Sequence, residues 1–173
     1  MAAPEKRLFL LRHAKSSWDD PQLADHDRPL APRGRRAAKA MAEHMLRERV
    51  APEIVLCSTA RRAQETLERI SPALGDATVL IEAELYLGSA RELLERLHQL
   101  PEATASAMLV GHNPAIQELA LSLASPGSGR VAIEGKYPTA GLATLSSEGT
   151  WSALEVGAAE LVSFVTPKDL KHS

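Results

Sequence analysis

Leu8-Phe9-Leu10-Leu11-Arg12-His13 is the stretch on which the fold turns. Four apolar residues in a row, with no polar alternation, describe a strand covered on both faces. That is the habit of a strand inside a parallel sheet flanked by helices. The run stops at two basic side chains. The pattern recurs twice. Ile54-Val55-Leu56-Cys57 ends at Ser58, with Arg61 and Arg62 just beyond, and Ala107-Met108-Leu109-Val110 ends at Gly111-His112-Asn113.

Helical patterns lie between these runs. Gly34 to Arg49 places Ala37, Ala38, Met41, Met45 and Leu46 on one face. Ala60 to Leu74 predicts a second helix, and Ser89 to Leu100 a third, capped by Ser89. Asn113-Pro114 supplies a cap and a first-turn proline for a helix to about Ala124. Thr78 to Ile81 predicts another strand. Leu142 to Leu145 and Ala153 to Val156 predict two more, joined by a turn near Glu148-Gly149, which would make that side of the sheet antiparallel. Ser125 to Gly129 lacks the Lys-Ser/Thr ending of a phosphate loop and reads as a plain loop. The fold class expected is α/β, a three-layer α/β/α sandwich with a mostly parallel central sheet. No repeat or linker divides the chain. One domain is expected over 1–173, with a core of about 6–166 and a frayed tail at 167–173.

The 173 residues suffice for one full core. Hydrophobic residues make up 45% but aromatics only 3%, so the core must be built from Ala, Leu, Val and Ile. A net charge of −2 gives no basic excess, which argues against a general nucleic-acid binder and makes any positive field local. The single cysteine, Cys57, excludes an intrachain disulfide and reads as a packed core thiol. The apolar run at Leu8 is too short for a signal peptide or membrane span, so a cytoplasmic protein with no membrane partner is expected. With no obvious exposed apolar stripe, a monomer is expected.

In open α/β sheets, ligands bind outside the carboxyl ends of the strands. If the three runs lie side by side, two histidines, His13 and His112, and two or three arginines, Arg12 with Arg61, Arg62 or both, converge on one spot rich in N–H donors, with no acidic metal ligands nearby in sequence. Such a spot suits a phosphoryl group. Each guanidinium matches two phosphate oxygens at once, and two of them take over charge that magnesium handles elsewhere. A neutral imidazole between them can attack phosphorus, and the neighbouring positive charge keeps it unprotonated. A donor to the transferring group is worth about 100- to 1,000-fold in rate.

Leu11-Arg12-His13-Ala14, Arg28-Pro29-Leu30 with Gly34, Ser58 through Arg62-Ala63 to Thr66, and Val110-Gly111-His112-Asn113-Pro114 together resemble the histidine phosphatase superfamily. Their form and the short chain are most similar to the SixA-type phosphohistidine phosphatases. The resemblance runs from about Leu8 to about Leu145. Each motif alone is weak, and four in order are specific. The resemblance implies a phosphoglycerate mutase-like fold with a small or absent cap. It implies Arg12 and Arg62 as phosphate ligands, His13 as nucleophile and His112 as stabiliser of the transferring group. A phosphohistidine enzyme intermediate and no metal or other cofactor are also implied. Ala14 stands where glycine is usual, Ala31 where threonine is common and Glu65 where glutamine is common. Ala31 forgoes a helix cap worth about 1 kcal/mol.

Glu84 is the natural candidate for a general acid, with Glu82 second. An imidazole leaving group needs such an acid less than an alkoxide does. Other positions keep two readings. Ser58 either orients an imidazole or ends a strand. Lys15, Ser16 and Trp18 either shape the substrate mouth or form a mobile loop. Arg28 either adds a third positive charge or pairs with Asp25 or Asp27. Arg61 reads as a surface charge, and His26, His44, His98 and His172 read as ordinary surface residues without zinc-ligand spacing. The substrate is expected to be a phosphorylated protein, presented to a shallow site. The alternatives are a small phosphate ester or nucleotide, or phosphate binding without catalysis.

Overall fold

In the computed structural model, which describes residues 5–171, the first apolar run extends in both directions to form β1 (Glu5–Arg12). Successive strand side chains point to opposite faces, so each buried strand serves two cores. Leu8 and Leu10 of β1 join one cluster, while Phe9 and Leu11 join the other. The same alternation holds in β2 (Ile54–Ser58), where Leu56 faces one way and Val55 and Cys57 the other. It holds again in β4 (Ser106–Gly111), which splits Leu109 from Met108 and Val110. Unbroken apolar runs are therefore required, as the sequence indicated.

One face is covered by α1 (Pro32–Arg47) and α2 (Arg61–Ile70). The other is covered by α4 (Ala90–His98) and α5 (Ala115–Leu123), which follow the short α3 (Glu84–Leu87) and precede the short α6 (Val131–Glu134). Met41 and Met45 of α1 and Ile70 of α2 are fully enclosed. Burying a side chain of this size stabilises the fold by about 1.5–3 kcal/mol. Ser89 caps α4 through a reciprocal capping box with Glu92. Ala31 precedes α1 without any side-chain cap. Together with β3 (Thr78–Glu82), β5 (Leu142–Glu148) and β6 (Glu160–Val165), the strands form one sheet ordered β3-β2-β4-β1-β5-β6. The contacts of β4 with β1 and β2, and of β2 with β3, are parallel. β5 runs antiparallel to both β1 and β6. The result is an α/β sandwich with a mostly parallel sheet.

Several sequence expectations are corrected. Ala153 to Val156 is not a strand. Thr150 caps a 3-10 turn at Trp151–Ala153, and the last strand is β6, whose Leu161 is buried beside an exposed Val162. The segment from Pro167 is not simply a frayed tail. Thr166 and Asp169 form a capping box that starts α7 (Pro167–Leu170), which packs on α1; residues 172–173 lie outside the described range. α5 begins one residue later than expected, because Pro114 occupies the cap position. Asn113 still serves the helix, its Oδ1 accepting from the Gln117 amide at 3.2 Å. Edge strand β3 exposes Val79, Leu80 and Ile81 at 38–42%. The premise used for a monomer, absence of an exposed apolar stripe, therefore does not hold.

Register brings the ends of three strands level. Arg12 lies beside Gly111 and Cys57 beside Val110, so His13, Ser58 and His112 emerge at one edge of the sheet. α1 clamps the chain leaving β1. The Ala31 amide donates to the Lys15 carbonyl at 2.9 Å, and a β-carbon at Gly34 would collide with that same carbonyl. Gly34→Ala is therefore expected to lower the unfolding free energy by about 1–3 kcal/mol. Urea denaturation reads this directly, and an unchanged midpoint would show that the close approach is not constrained.

Candidate active site

The sheet edge assembles a tight group of basic side chains. His13 is 7% exposed, and its ring centroid lies 5.1 Å from that of His112. His13 Nδ1 is 2.7 Å from the Ala14 carbonyl, which can only accept, so the ring proton sits on Nδ1. His13 Nε2 accordingly carries a lone pair, and it accepts from Arg62 Nε at 3.3 Å. Thr66 fixes the loop that holds this proton. Its hydroxyl accepts from the Ala14 amide at 2.9 Å and donates to the Arg62 carbonyl at 2.7 Å.

His112 is tied to Ser58, with Nε2 and Oγ 2.8 Å apart. Ser58 Oγ already accepts from the Ala60 amide at 3.1 Å and is wholly buried. Among the described residues the buried hydroxyl proton has no other acceptor in reach, which assigns it to His112 Nε2 and the His112 proton to Nδ1. Of Ser58's two sequence readings, the structure supports the orienting one. His112 Nδ1 is buried and has no hydrogen-bond partner among the described residues, and the same is true of Arg12 Nε. Buried donors of this kind are uncommon and point to an acceptor supplied from outside the protein. Arg12 itself is held through Nη1, which donates to the Tyr137 carbonyl at 2.8 Å.

Asp25, offered by the sequence only as a partner for Arg28, also binds Arg62, a link the sequence did not indicate. The segment between β1 and α1 forms a 3-10 turn at Asp25–Asp27, over the site. Arg62 Nη1 donates to the Asp25 backbone oxygen at 2.7 Å, and Nη2 to its carboxylate at 3.0 Å. Arg28 reaches the other carboxylate oxygen at 3.1 Å, and the Tyr86 hydroxyl also donates to Asp25. Both sequence readings of Arg28 thus meet in one contact, since its pairing with Asp25 places it at the site's edge. Ser16 and Ser17 also bind Arg28, and its guanidinium stacks 3.3 Å from the centroid of the exposed Trp18 ring. Tyr86 packs edge-on to His112 and to His26, which in turn contacts Thr59 at 2.8 Å. His26 is therefore part of the site's rim, a correction to its reading as an ordinary surface residue.

Glu84 is not brought to this group. It is exposed, and its charge acts on Arg96, which Glu82 already binds at 2.7 and 3.0 Å. The Lys15 side chain is exposed and lines a cleft whose walls include neither imidazole. Arg61 pairs with Glu65 at the surface, and Glu65 also accepts from the Leu30 amide, which ties the Arg28 segment to α2. His98 is bound to the Leu154 carbonyl at 2.6 Å, so it too is more than a surface residue. His44 is partly buried on α1, and His172 lies outside the described residues. Among the described residues, no three His, Cys, Asp or Glu side chains are grouped as metal ligands. No helix there is long and apolar enough to cross a membrane.

Comparison with known proteins agrees with this arrangement. Residues 8–86 match the model of the histidine phosphatase superfamily, branch 1. A solved structure from Nakamurella multipartitia, provisionally named phosphohistidine phosphatase SixA, superposes with a TM-score of 0.84 at 32% identity. It covers 96% of this chain and 99% of its own. The chain belongs to the histidine phosphatase superfamily, on its SixA-like branch. A similarly named protein from Agrobacterium tumefaciens aligns at 29% identity with a TM-score of 0.82, over 95% of this chain and 99% of that one. An uncharacterised protein of Mycobacterium leprae is 39% identical over 91% of this chain and its own full length.

The electrostatics of this histidine phosphatase favour neutral imidazoles. Burial, the largest cause, lowers the His13 pKa to about 3, and the charges of His112, Arg62 and Arg12 act in the same direction. Burial and then Arg62 lower His112 to about 4. Positive neighbours were the cause anticipated from sequence, but desolvation is the larger one. The Tyr86 hydrogen bond and the two arginines hold the Asp25 carboxyl below its ordinary value, so it stays ionised.

Folded-state pKa values below the unfolded value of about 6.5 mean that the unfolded chain takes up protons first. The two imidazoles therefore leave stability untouched above about pH 6.5 and reduce it as the pH falls from there, down to about 4 for His112 and about 3 for His13. In ligand-free protein, the ring Cε1 protons of His13 and His112 are expected to stay at neutral-form NMR shifts between about pH 5 and 8. A midpoint near about 6.5 for either ring would contradict the burial argument.

Proposed function

We propose that this protein is a metal-independent phosphatase that carries a phosphoryl group on His13 and dephosphorylates phosphohistidine on a protein. The observation that carries the reading is the fixed tautomer of His13. With the proton held on Nδ1 by Ala14, the lone pair on Nε2 faces Arg62. In the proposed reaction Nε2 attacks phosphorus, and the bond from phosphorus to the substrate nitrogen breaks. The departing imidazole takes a proton from solvent. Water then attacks the phosphoryl group on His13, phosphate leaves, and Nε2 regains its lone pair. Arg62 and Arg12 exchange part of their present contacts for phosphoryl oxygens, and His112 Nδ1–H donates to another. Two guanidinium groups supply charge stabilisation of the kind that magnesium gives elsewhere.

The leaving group follows from the carboxylates. Asp25 is the carboxylate in contact with the site and is held ionised, while Glu84 is exposed and acts by charge on Arg96. Neither is placed as a proton donor for an alkoxide. Phosphohistidine releases an imidazole, a better leaving group that needs no such acid. The likeness to proteins provisionally named phosphohistidine phosphatases points the same way.

The test is turnover of a phosphohistidine peptide beside a panel of phosphate esters. Wild-type protein is expected to prefer the peptide and, on rapid quench, to hold an acid-labile, base-stable phosphoryl group that His13→Ala lacks. EDTA is expected to leave the rate unchanged. Glu84→Gln is expected to leave both activities unchanged, whereas loss of ester hydrolysis alone would restore Glu84 as the acid. Preference for esters in the wild type would overturn the substrate assignment, and a large loss with EDTA would overturn the metal-free mechanism.

A further inference from the structure

We infer that the cleft between the start of α1, the 136–139 segment and α7 is the docking surface for an acidic segment of the phosphorylated protein substrate, an inference that rests on the function proposed above. The cleft measures about 1220 Å³. Lys15, Arg33, Arg36, Lys136, Lys168 and Lys171 line it, against the single carboxylate of Asp169. That carboxylate is already engaged, accepting from the Thr166 amide at 2.8 Å and its hydroxyl at 3.0 Å.

The six cations are all exposed, and among the described residues none has a carboxylate within ion-pair distance. The contrast with other helices is clear. Arg61, Arg91 and Arg130 each pair with a glutamate four residues on. In a chain of net charge −2, an uncompensated basic face of this size is a local field able to attract and orient an acidic partner.

The cleft and the frame of the active site share two stretches of main chain. Lys15 lies two residues beyond His13. The Tyr137 carbonyl holds Arg12, Pro138 and Thr139 form part of the cleft wall, and the Ala140 amide donates to the His13 carbonyl at 3.0 Å. A chain segment lying in the cleft is therefore anchored beside the phosphoryl site. The geometry favours an extended acidic peptide over a compact anion. The charges are spread around an open space, on flexible side chains. Small-molecule sites are typically about 300–1,000 Å³, mostly apolar, with a few converging polar groups. Exposed ion pairs are worth about 0–1 kcal/mol each, so the effect belongs to the set and is sensitive to salt.

The experiment uses two phosphohistidine peptides of equal length, one flanked by Asp and Glu and the other by Ser and Gly. They are assayed with the full-length wild type and with an Arg33→Glu/Arg36→Glu/Lys168→Glu variant. Wild type is expected to hydrolyse the acidic peptide with a kcat/KM about 10-fold or more above the neutral one at low salt, and to lose that margin as ionic strength rises. The variant is expected to lose the margin while keeping wild-type activity on the neutral peptide, which also certifies its fold. Equal hydrolysis of both peptides by wild type, or a variant that keeps the preference, would overturn the docking surface and leave the phosphatase reading intact. Failure to hydrolyse either peptide, with esters still turned over, would remove the phosphohistidine reading and the docking surface with it.

Discussion

The hydrogen bond from His13 Nδ1 to the Ala14 carbonyl, 2.7 Å long, is the contact on which the rest of the site depends. A neutral imidazole carries one proton, and its position decides which nitrogen can attack. The main chain fixes it here, and Thr66 in turn fixes the main chain by holding both Ala14 and the start of α2. Gly34 allows α1 to close over the next residue, Lys15. The packing of two helices onto one face of the sheet is thereby converted into the tautomer of a single ring. On the other side of the gap, a buried Ser58 hydroxyl does the same for His112, and there it is the protonated Nδ1 that is left without a protein partner.

Crowding guanidinium groups beside imidazoles has a cost, and the molecule meets it in two ways. The imidazoles remain uncharged, so repulsion is confined to the arginines. Asp25 then offers both its carboxylate and its carbonyl to Arg62, and the second carboxylate oxygen to Arg28. An ionised carboxylate thus stands where part of an anionic substrate's charge would act in the proposed reaction. It preserves the arginine arrangement in the free protein. It also explains why a group so close to the site is poorly suited to give up a proton.

Much of this was legible in the sequence wherever chemistry coincides with periodicity. β1, β2 and β4 are buried on both faces, so their apolar runs are unbroken and their polar ends mark one edge of the sheet. Arg12, His13, Ser58 and His112 could be read from those ends. Asp25 could not, because residues 17–29 have no hydrophobic period and the contact spans 37 positions to Arg62. Glu84 drew attention as a carboxylate, yet Tyr86 is the residue that faces His112. On a helix, residues two apart point in nearly opposite directions, so only one of the pair can serve the site. β6 was missed because an edge strand with one buried face carries a weak signal. The apolar Leu154 beside the Trp151 turn was mistaken for it, since burial alone does not distinguish a strand from a buried turn.

The central claim concerns one atom, and the site of phosphorylation on the enzyme tests it most directly. Phosphoenzyme quenched in base, digested under alkaline conditions and examined by NMR of 15N-labelled histidine distinguishes the two ring positions. The account requires the phosphoryl group on Nε2 of His13. A phosphoryl group on Nδ1, or on His112, would contradict it.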